Sequence, residues 1–285
     1  MQTQEIQKIS SQVRRDILRM VHGCQSGHPG GSLGCTDLIV ELYFNTMQLK
    51  TDSAGNVVFD MDGKNEDLFF LSNGHISPVI YSVLARRGYF TTAELATFRK
   101  IDTRLQGHPT PHEHLEGIRI ASGSLGQGLS VAIGAAQAKK LNGDKSTVFC
   151  LMGDGEQNEG QVWEAAMYAP HHKVDNLIAF IDENGQQIDG PTEKVMSNRD
   201  LQAKYEAFGW NVIRMDGNNA ENIQNTLKKA KAELGKGSPI MILMKTEMGA
   251  GVDFMMYSHK WHGVAPNDQQ LQDALAQLEE TLGDY

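Results

Sequence analysis

The chain of 285 residues has only three cysteines, Cys24, Cys35 and Cys150, and no Cys-x-x-Cys pair. An odd, scattered set excludes a disulfide framework and a zinc knuckle, and fits a reducing compartment. Positive charge is also scarce: 26 Lys and Arg face 35 Asp and Glu, a formal charge of −9. With a pI near 5.6, the chain is a poor match for a nucleic-acid or membrane-surface binder. An anionic ligand would have to be held locally, by backbone N–H groups, histidines or a metal. No apolar run approaches the roughly 20 residues that span a bilayer. The opening Met1-Gln2-Thr3-Gln4-Glu5 lacks the basic-then-apolar order of a signal peptide. The expectation is a soluble, cytoplasmic protein. No internal repeat or low-complexity tract is present, and prolines number eight against 29 glycines. That ratio points to tight turns and close backbone approaches, without a collagen-like period. Apolar residues at 40% and charged residues at 21% give a globular balance.

The first segment has a helical spacing, with Ile6, Ile9, Val13, Ile17, Leu18 and Val21 on one face. It runs into Ser26-Gly27-His28-Pro29-Gly30-Gly31, a loop, before a second helical pattern through Leu38, Leu42 and Phe44. Residues 51–66 are polar and turn-rich, a surface excursion. Thr91-Thr92-Ala93-Glu94 has the form of a capping box opening a further helix. Residues 101–122 have no clean period. Strands are expected at Thr147–Met152, Leu177–Ile181, near Trp210–Arg214 and near Pro239–Lys245, with helices at Val162–Ala169 and Ala220–Leu234. Strand, helix, strand at this spacing is a βαβ unit with a right-handed crossover. The expected fold is therefore α/β, a largely parallel sheet with helices on both faces, residues 1–285 forming one domain. A final helix carrying Leu271, Leu275, Leu278 and Leu282 completes the pattern.

Gly153-Asp154-Gly155 and Asn184 each follow a strand of that unit, so both belong to the carboxyl edge, where open α/β sheets bind ligands. Neighbouring parallel strands lie about 4.8 Å apart, close enough for Asp154 and Asn184 to share one ion. A carboxylate, an amide oxygen and a backbone carbonyl are hard ligands, suited to Mg²⁺ or Ca²⁺ rather than zinc. Taken alone, Gly-Asp-Gly is equally compatible with two ordinary βα turns. Gly123-Ser124-Leu125-Gly126-Gln127-Gly128 invites reading as a dinucleotide loop, but its order is Gly-x-x-Gly-x-Gly, not the Gly-x-Gly-x-x-Gly of that fingerprint. Arg119–Ser122 ahead of it is a short strand candidate at best.

Asn184 stands 30 residues after Asp154, and this resembles the thiamine-diphosphate signature in which Gly-Asp-Gly precedes an asparagine. Gly185 replaces the second asparagine, as in the transketolase variant. Six motifs fall in transketolase order: Ser26-Gly-His28-Pro-Gly-Gly-Ser-Leu-Gly34, Leu71-Ser-Asn-Gly-His75, Gln106-Gly-His108-Pro, the Gly123–Gly128 run, Gly153-Asp-Gly-Glu-Gln-Asn-Glu-Gly160 and Trp261-His262-Gly263. The resemblance thus covers nearly the whole chain and implies the thiamine-diphosphate-binding fold, specifically its diphosphate-binding domain. It implies that Asp154, Asn184 and the carbonyl of Gln186 fix Mg²⁺, or Ca²⁺, on the diphosphate beside Gly153 and Gly155. Gly123 and Leu125 would line the aminopyrimidine. His28, His75, His108 and His262 would face the cofactor and substrate oxygens, orienting the sugar and relaying protons, work suited to imidazole near neutrality. The Trp-His-Gly pattern selects His262 over His259. His112, His114, His171 and His172 lie in polar surroundings and read as surface residues. Glu159 corresponds to an acid at the subunit interface near the cofactor, whereas Glu156 reads as an acidic residue solvating a helix start.

The implied reaction moves a two-carbon ketol unit from a ketose phosphate to an aldose phosphate, the cofactor supplying the carbanion-stabilising chemistry. Because longer transketolases continue beyond this length, the resemblance implies the N-terminal subunit of a split enzyme. Its C-terminal, pyrimidine-binding partner would be a separate chain, and the assembly an α₂β₂ heterotetramer. Two alternatives stay open. One is a subunit of another thiamine-diphosphate enzyme, such as a deoxyxylulose-phosphate synthase relative. The other is a non-catalytic cofactor-binding subunit.

Overall fold

The computed structural model describes residues 1–285. Three helices open the chain: α1 (Thr3–Cys24), α2 (Pro29–Gly34) and α3 (Thr36–Glu41), the last continuing into a π-helical turn at Leu42–Thr46. Then come β1 (Leu68–Leu71), α4 (Ser77–Arg87), α5 (Gly128–Leu141), β2 (Val148–Gly153), α6 (Gly160–His171) and β3 (Leu177–Glu183). A small antiparallel pair, β4 (Gln186–Gln187) and β5 (Gly190–Pro191), precedes α7 (Thr192–Val195) and α8 (Leu201–Phe208). The rest is β6 (Asn211–Asp216), α9 (Ala220–Glu233), β7 (Ile240–Lys245) and α10 (Asp268–Ala276).

Five strands form one parallel sheet in the order β1-β2-β3-β7-β6. Alternate strand residues serve opposite faces, as the pleat requires. Phe69, Phe149, Leu151, Ile178 and Phe180 join the core under α1, α3, α4 and α9. Leu68, Phe70, Cys150, Ala179 and Ile181 join a second core under α5, α6 and α8. Both faces are covered, so the strands read as nearly continuous apolar runs. The expected α/β class and parallel order hold. No helix is long and apolar enough to cross a membrane.

Four local expectations need correction. The segment after Thr91 is a 3₁₀ turn, Thr92–Thr97, and Thr91 makes no side-chain cap. The turn is stopped at Arg99, held at φ +57, with its N–H bonded to the Leu105 carbonyl at 2.9 Å. The final helix ends at Ala276, short of Leu278 and Leu282. Side chains of α1 capture the backbone beyond it instead: Arg15 takes the Leu275 and Leu278 carbonyls, at 2.9 and 2.8 Å. Gln12 Oε1 accepts both the Thr281 and Leu282 N–H groups at 3.0 Å. Residues 119–122 form no strand, and the strand that precedes the motif of His75 is β1, a four-residue run too short for its period to be read. Finally, the expected loop at 26–31 ends at His28, because Pro29 opens α2; the turn-rich excursion at 51–66 lies at the surface as expected and closes on buried Glu66, which pairs with Arg119 at 2.6 Å.

Candidate active site

All five strands point the same way, so the segments following β1, β2, β3 and β7 emerge at one edge of the sheet. The register sets Gly153 beside Asp182 and Asp182 beside Met244. A cleft of about 380 Å³ opens there, and His28, His75, Gly123, Leu125, Gly153, Asp154, Gly155, Glu159, Asn184, Gln186 and His262 line it. Of the expected site residues only His108 lies outside the lining. Its ring sits against Gly123, where an added Cβ would fall 2.6 Å from it, and Gly123 itself has φ +122. Glycine is required there for both reasons.

Three imidazoles converge. His28 caps the start of α2, His75 sits in a 3₁₀ turn after β1, and His262 ends another such turn at His259–Trp261. Their ring centroids are 5.0 Å apart for His28 and His75, 5.6 Å for His28 and His262, and 5.3 Å for His75 and His262. His259 does not line the cleft. Burial, reinforced by the charges of His262 and Arg99, lowers the pKa of His28 to about 4. His75 falls to about 3, through burial first and then the charges of His262, His28 and His108. Burial also lowers His262 and His108, the latter with help from Arg99. The shifts favour neutral rings, each with one N–H donor and one ring nitrogen acceptor for hydrogen bonds, and make His28 and His75 weaker bases than an imidazole that titrates near neutrality. Nδ1 of His28, Nδ1 of His262 and Oδ1 of Asn73 are buried without a protein partner, three unsatisfied polar atoms on residues that line the cleft.

Opposite them, Asp154 receives the Gly155 N–H at 2.7 Å, the Gly185 N–H at 2.8 Å and the Thr192 hydroxyl at 3.2 Å. Burial and the neighbouring charge of Asp182 nevertheless push its pKa up to about 7. Asp182, fully buried, is raised by the same desolvation. Two buried carboxylates side by side are the setting that a bound cation relieves. The Asn184 amide is fixed at both ends: its Nδ2 donates to Asp182 at 2.7 Å and its Oδ1 accepts the Gln186 N–H at 2.9 Å. No three His, Cys, Asp or Glu side chains are grouped to hold a metal, so a cation here would rely on amide and backbone oxygens beside Asp154. That donor set is hard and suits Mg²⁺ or Ca²⁺.

Two residues carry more than their place in the sequence suggests. Glu156, expected to be solvated at a helix start, is 1% exposed and accepts bonds from Ser72, Gly126 and Gly153. Its position three residues before the rim residue Glu159 gives no signal of this, because its burial depends on the distant Ser72 and Gly126. Arg99 belongs to no motif. It makes no ion pair with a carboxylate, donates to Ser26 Oγ at 3.0 Å and carries a buried, unbonded Nε. His112, His114, His171 and His172 are exposed, as expected.

Fold and cleft together define an open-sheet α/β protein with a ligand-sized cleft at the carboxyl edge of its sheet, where buried carboxylates and a histidine cluster meet. A family model described as the thiamine diphosphate binding domain of transketolase matches residues 6–283. The chain belongs to this transketolase family, as its N-terminal, thiamine diphosphate-binding part. It is 34% identical over 282 residues to an apulose-4-phosphate transketolase subunit from Phocaeicola vulgatus, covering 99% of this chain and 96% of the relative. It is 36% identical over 275 residues to the 6-deoxy-6-sulfo-D-fructose transketolase subunit SqwG of a Clostridium species, with 96% of each chain covered. The transketolase structure from Leishmania mexicana superposes with a TM-score of 0.87 at 29% identity, over 98% of this chain. The chain spans only 42% of that longer polypeptide.

Proposed function

We propose that this chain is the diphosphate-binding subunit of a two-chain transketolase, moving a two-carbon ketol unit from a ketose phosphate to an aldose phosphate. The observation that carries the reading is the convergence of His28, His75 and His262 on the cleft that Asp154, Asn184 and Gln186 also line. When bound, thiamine diphosphate supplies the carbanion-stabilising chemistry, which no side chain here provides. Asp154, Asn184 and the Gln186 carbonyl would hold Mg²⁺, or Ca²⁺, on its diphosphate. Gly153 and Gly155 would allow close backbone approach, and Gly123 and Leu125 would flank the ring. His28, His75, His108 and His262, neutral at working pH, would hydrogen-bond substrate hydroxyl and carbonyl oxygens and pass protons between them.

The partner is a C-terminal, pyrimidine-binding chain, and residues 1–285 act as one domain beside it. Support comes from relatives of the same length that are named as transketolase subunits. Glu159 fits this reading: it is exposed, and its stem packs on Gly126 at the rim of the cleft. A closed α₂β₂ assembly is the symmetric arrangement expected of such a pair. The reading also places the protein in the cytoplasm.

The test assays the purified chain with thiamine diphosphate, Mg²⁺ and a ketose-phosphate and aldose-phosphate pair, with and without the partner co-purified from the native cell. Turnover is expected only with both chains and is lost with a chelator. Full ketol transfer by this chain alone would refute the two-chain reading, and metal-independent cofactor binding would refute the assignment of Asp154, Asn184 and Gln186.

A further inference from the structure

We infer that Glu156 is a positioning residue, clipping together the three backbone segments that shape the cofactor cleft. The proposal rests on the reading of that cleft as the thiamine diphosphate site. Glu156 lies in a 3₁₀ turn, Gly155–Asn158, directly after the metal-side turn. One carboxylate oxygen accepts the Ser72 hydroxyl and, at 2.7 Å, the Gly126 N–H. The other accepts the Gly153 N–H at 3.1 Å. Ser72 Oγ in turn accepts the Gly128 N–H at 3.0 Å.

These three partners come from three different segments of the chain. Ser72 precedes Asn73 and lies three residues before His75, Gly126 follows Gly123 and Leu125, and Gly153 precedes Asp154. A single buried carboxylate therefore ties the histidine turn, the ring-side loop and the diphosphate turn to one point. No cation neutralises it; its partners are hydroxyl and amide donors, which is how a buried carboxylate without a salt bridge is held.

An independent feature shows how closely the same segments approach one another. A Cβ on Gly74 would lie 2.7 Å from the Gly123 nitrogen, one on Gly126 would lie 2.9 Å from Glu159 Cβ, and one on Gly128 would strike Ser72. The segments pack closely enough that a shift in one is passed to the others. Removing the carboxylate leaves the buried Gly126 N–H and the half-buried Gly153 N–H without this acceptor, and each must move to find another. Any such movement displaces Gly123 and Asp154 from each other.

The test uses the chain as purified with its native partner and compares Glu156→Ala, Glu156→Gln, Ser72→Ala and a control, Leu227→Ala. Leu227 lies in the core on α9, away from the cleft, and its loss lowers stability without touching the clip. Thiamine diphosphate with Mg²⁺ is titrated by calorimetry well below each melting temperature. Hydrogen exchange at residues 122–128 and 151–155 is followed without cofactor. Expected is a loss of affinity of about 10- to 100-fold for Glu156→Ala, the range typical of groups that orient ligands from behind. Glu156→Gln keeps one acceptor for Ser72 and Gly126 but sets its amide N–H₂ against the Gly153 N–H, so it should recover part of that loss, with Ser72→Ala also intermediate. Exchange should accelerate in both segments for Glu156→Ala. Affinity within about twofold of wild type for Glu156→Ala, or an equal loss in Leu227→Ala, overturns the proposal. A wild-type chain that binds no cofactor under these conditions overturns the reading of the cleft itself, a result recognisable because it does not depend on residue 156.

Discussion

Replacing His75 by Asn should flatten the acid side of the stability profile by an amount that the histidine cluster sets. The folded His75 takes up its proton only near 3, because burial and then the charges of His262, His28 and His108 oppose it; its ordinary value is 6.5. Between these values the unfolded chain binds a proton that the folded chain refuses. Stability contributed above 6.5 is therefore lost as pH falls toward 3. At about pH 5 the unfolded imidazole is almost fully charged, and the linkage integral gives about 2 kcal/mol lost relative to about pH 7.5. Asp154 works in the opposite sense. Its pKa, raised to about 7, makes the folded chain the better proton binder as pH falls, so the wild-type profile alone mixes two signs. The difference profile does not: Asp154 is present in both proteins and cancels. Urea denaturation of cofactor-free wild type and His75→Asn at about pH 7.5 and pH 5 should give a change in stability that differs between them by about 2 kcal/mol. NMR of the His75 ring should show no protonation down to about pH 5. A difference below about 0.5 kcal/mol, or a ring titrating near 6.5, would show that His75 is solvated and that the neutral cluster does not exist.

Asp182→Ala should raise the Mg²⁺ concentration for half-maximal cofactor binding about tenfold, because Asn184 loses the acceptor that fixes its amide; unchanged metal dependence in calorimetry would refute that role. Arg99→Ala should raise the pKa of both His28 and His108 by removing a cation that disfavours their charged forms, a shift read by NMR. No upward movement of either histidine would place the guanidinium elsewhere in solution. Asp37→Ala should destabilise the chain by about 3–5 kcal/mol, since it strands Arg14, paired with it at 2.7 Å in the interior; a loss under about 1 kcal/mol in denaturant melts would mean that water reaches the pair.

Legibility follows the range of the interactions. The strands β2, β3, β6 and β7 are readable because both faces of the sheet are buried, leaving apolar runs between turn residues. Helix α9 is readable from its period. β1 is not, since four residues give no period and its partner β2 lies about 80 positions away in sequence. The end of α10 misleads because leucines at helical spacing continue past Ala276, while Arg15 and Gln12 of α1 compete for the backbone groups that a longer helix would have used. Within the site, residues tied to a local motif are visible: Asp154, Asn184 and the four histidines beside glycines. Glu156, Asp182 and Arg99 owe their importance to partners brought by folding, namely Ser72 and Gly126, Thr246 and Asn184, and Ser26. One sequence cannot show those pairings.

The stitching of residues 275–285 onto α1 has a consequence for how the protein is made. Arg15 waits for Leu275, Leu278 and Asp284, and Arg19 for the Tyr285 carbonyl. At roughly 5–20 residues per second on the ribosome, the first helix is complete on the order of half a minute before its last partners are synthesised. During that interval the guanidinium groups of Arg15 and Arg19 lack these acceptors. A ribosome stalled before these residues, or a nick near residue 275, would thus produce a chain whose sheet is whole but whose first helix lacks the partners of Arg15 and Arg19. Cellular quality control would meet that species through its opposite end, at the start of the chain rather than at the break.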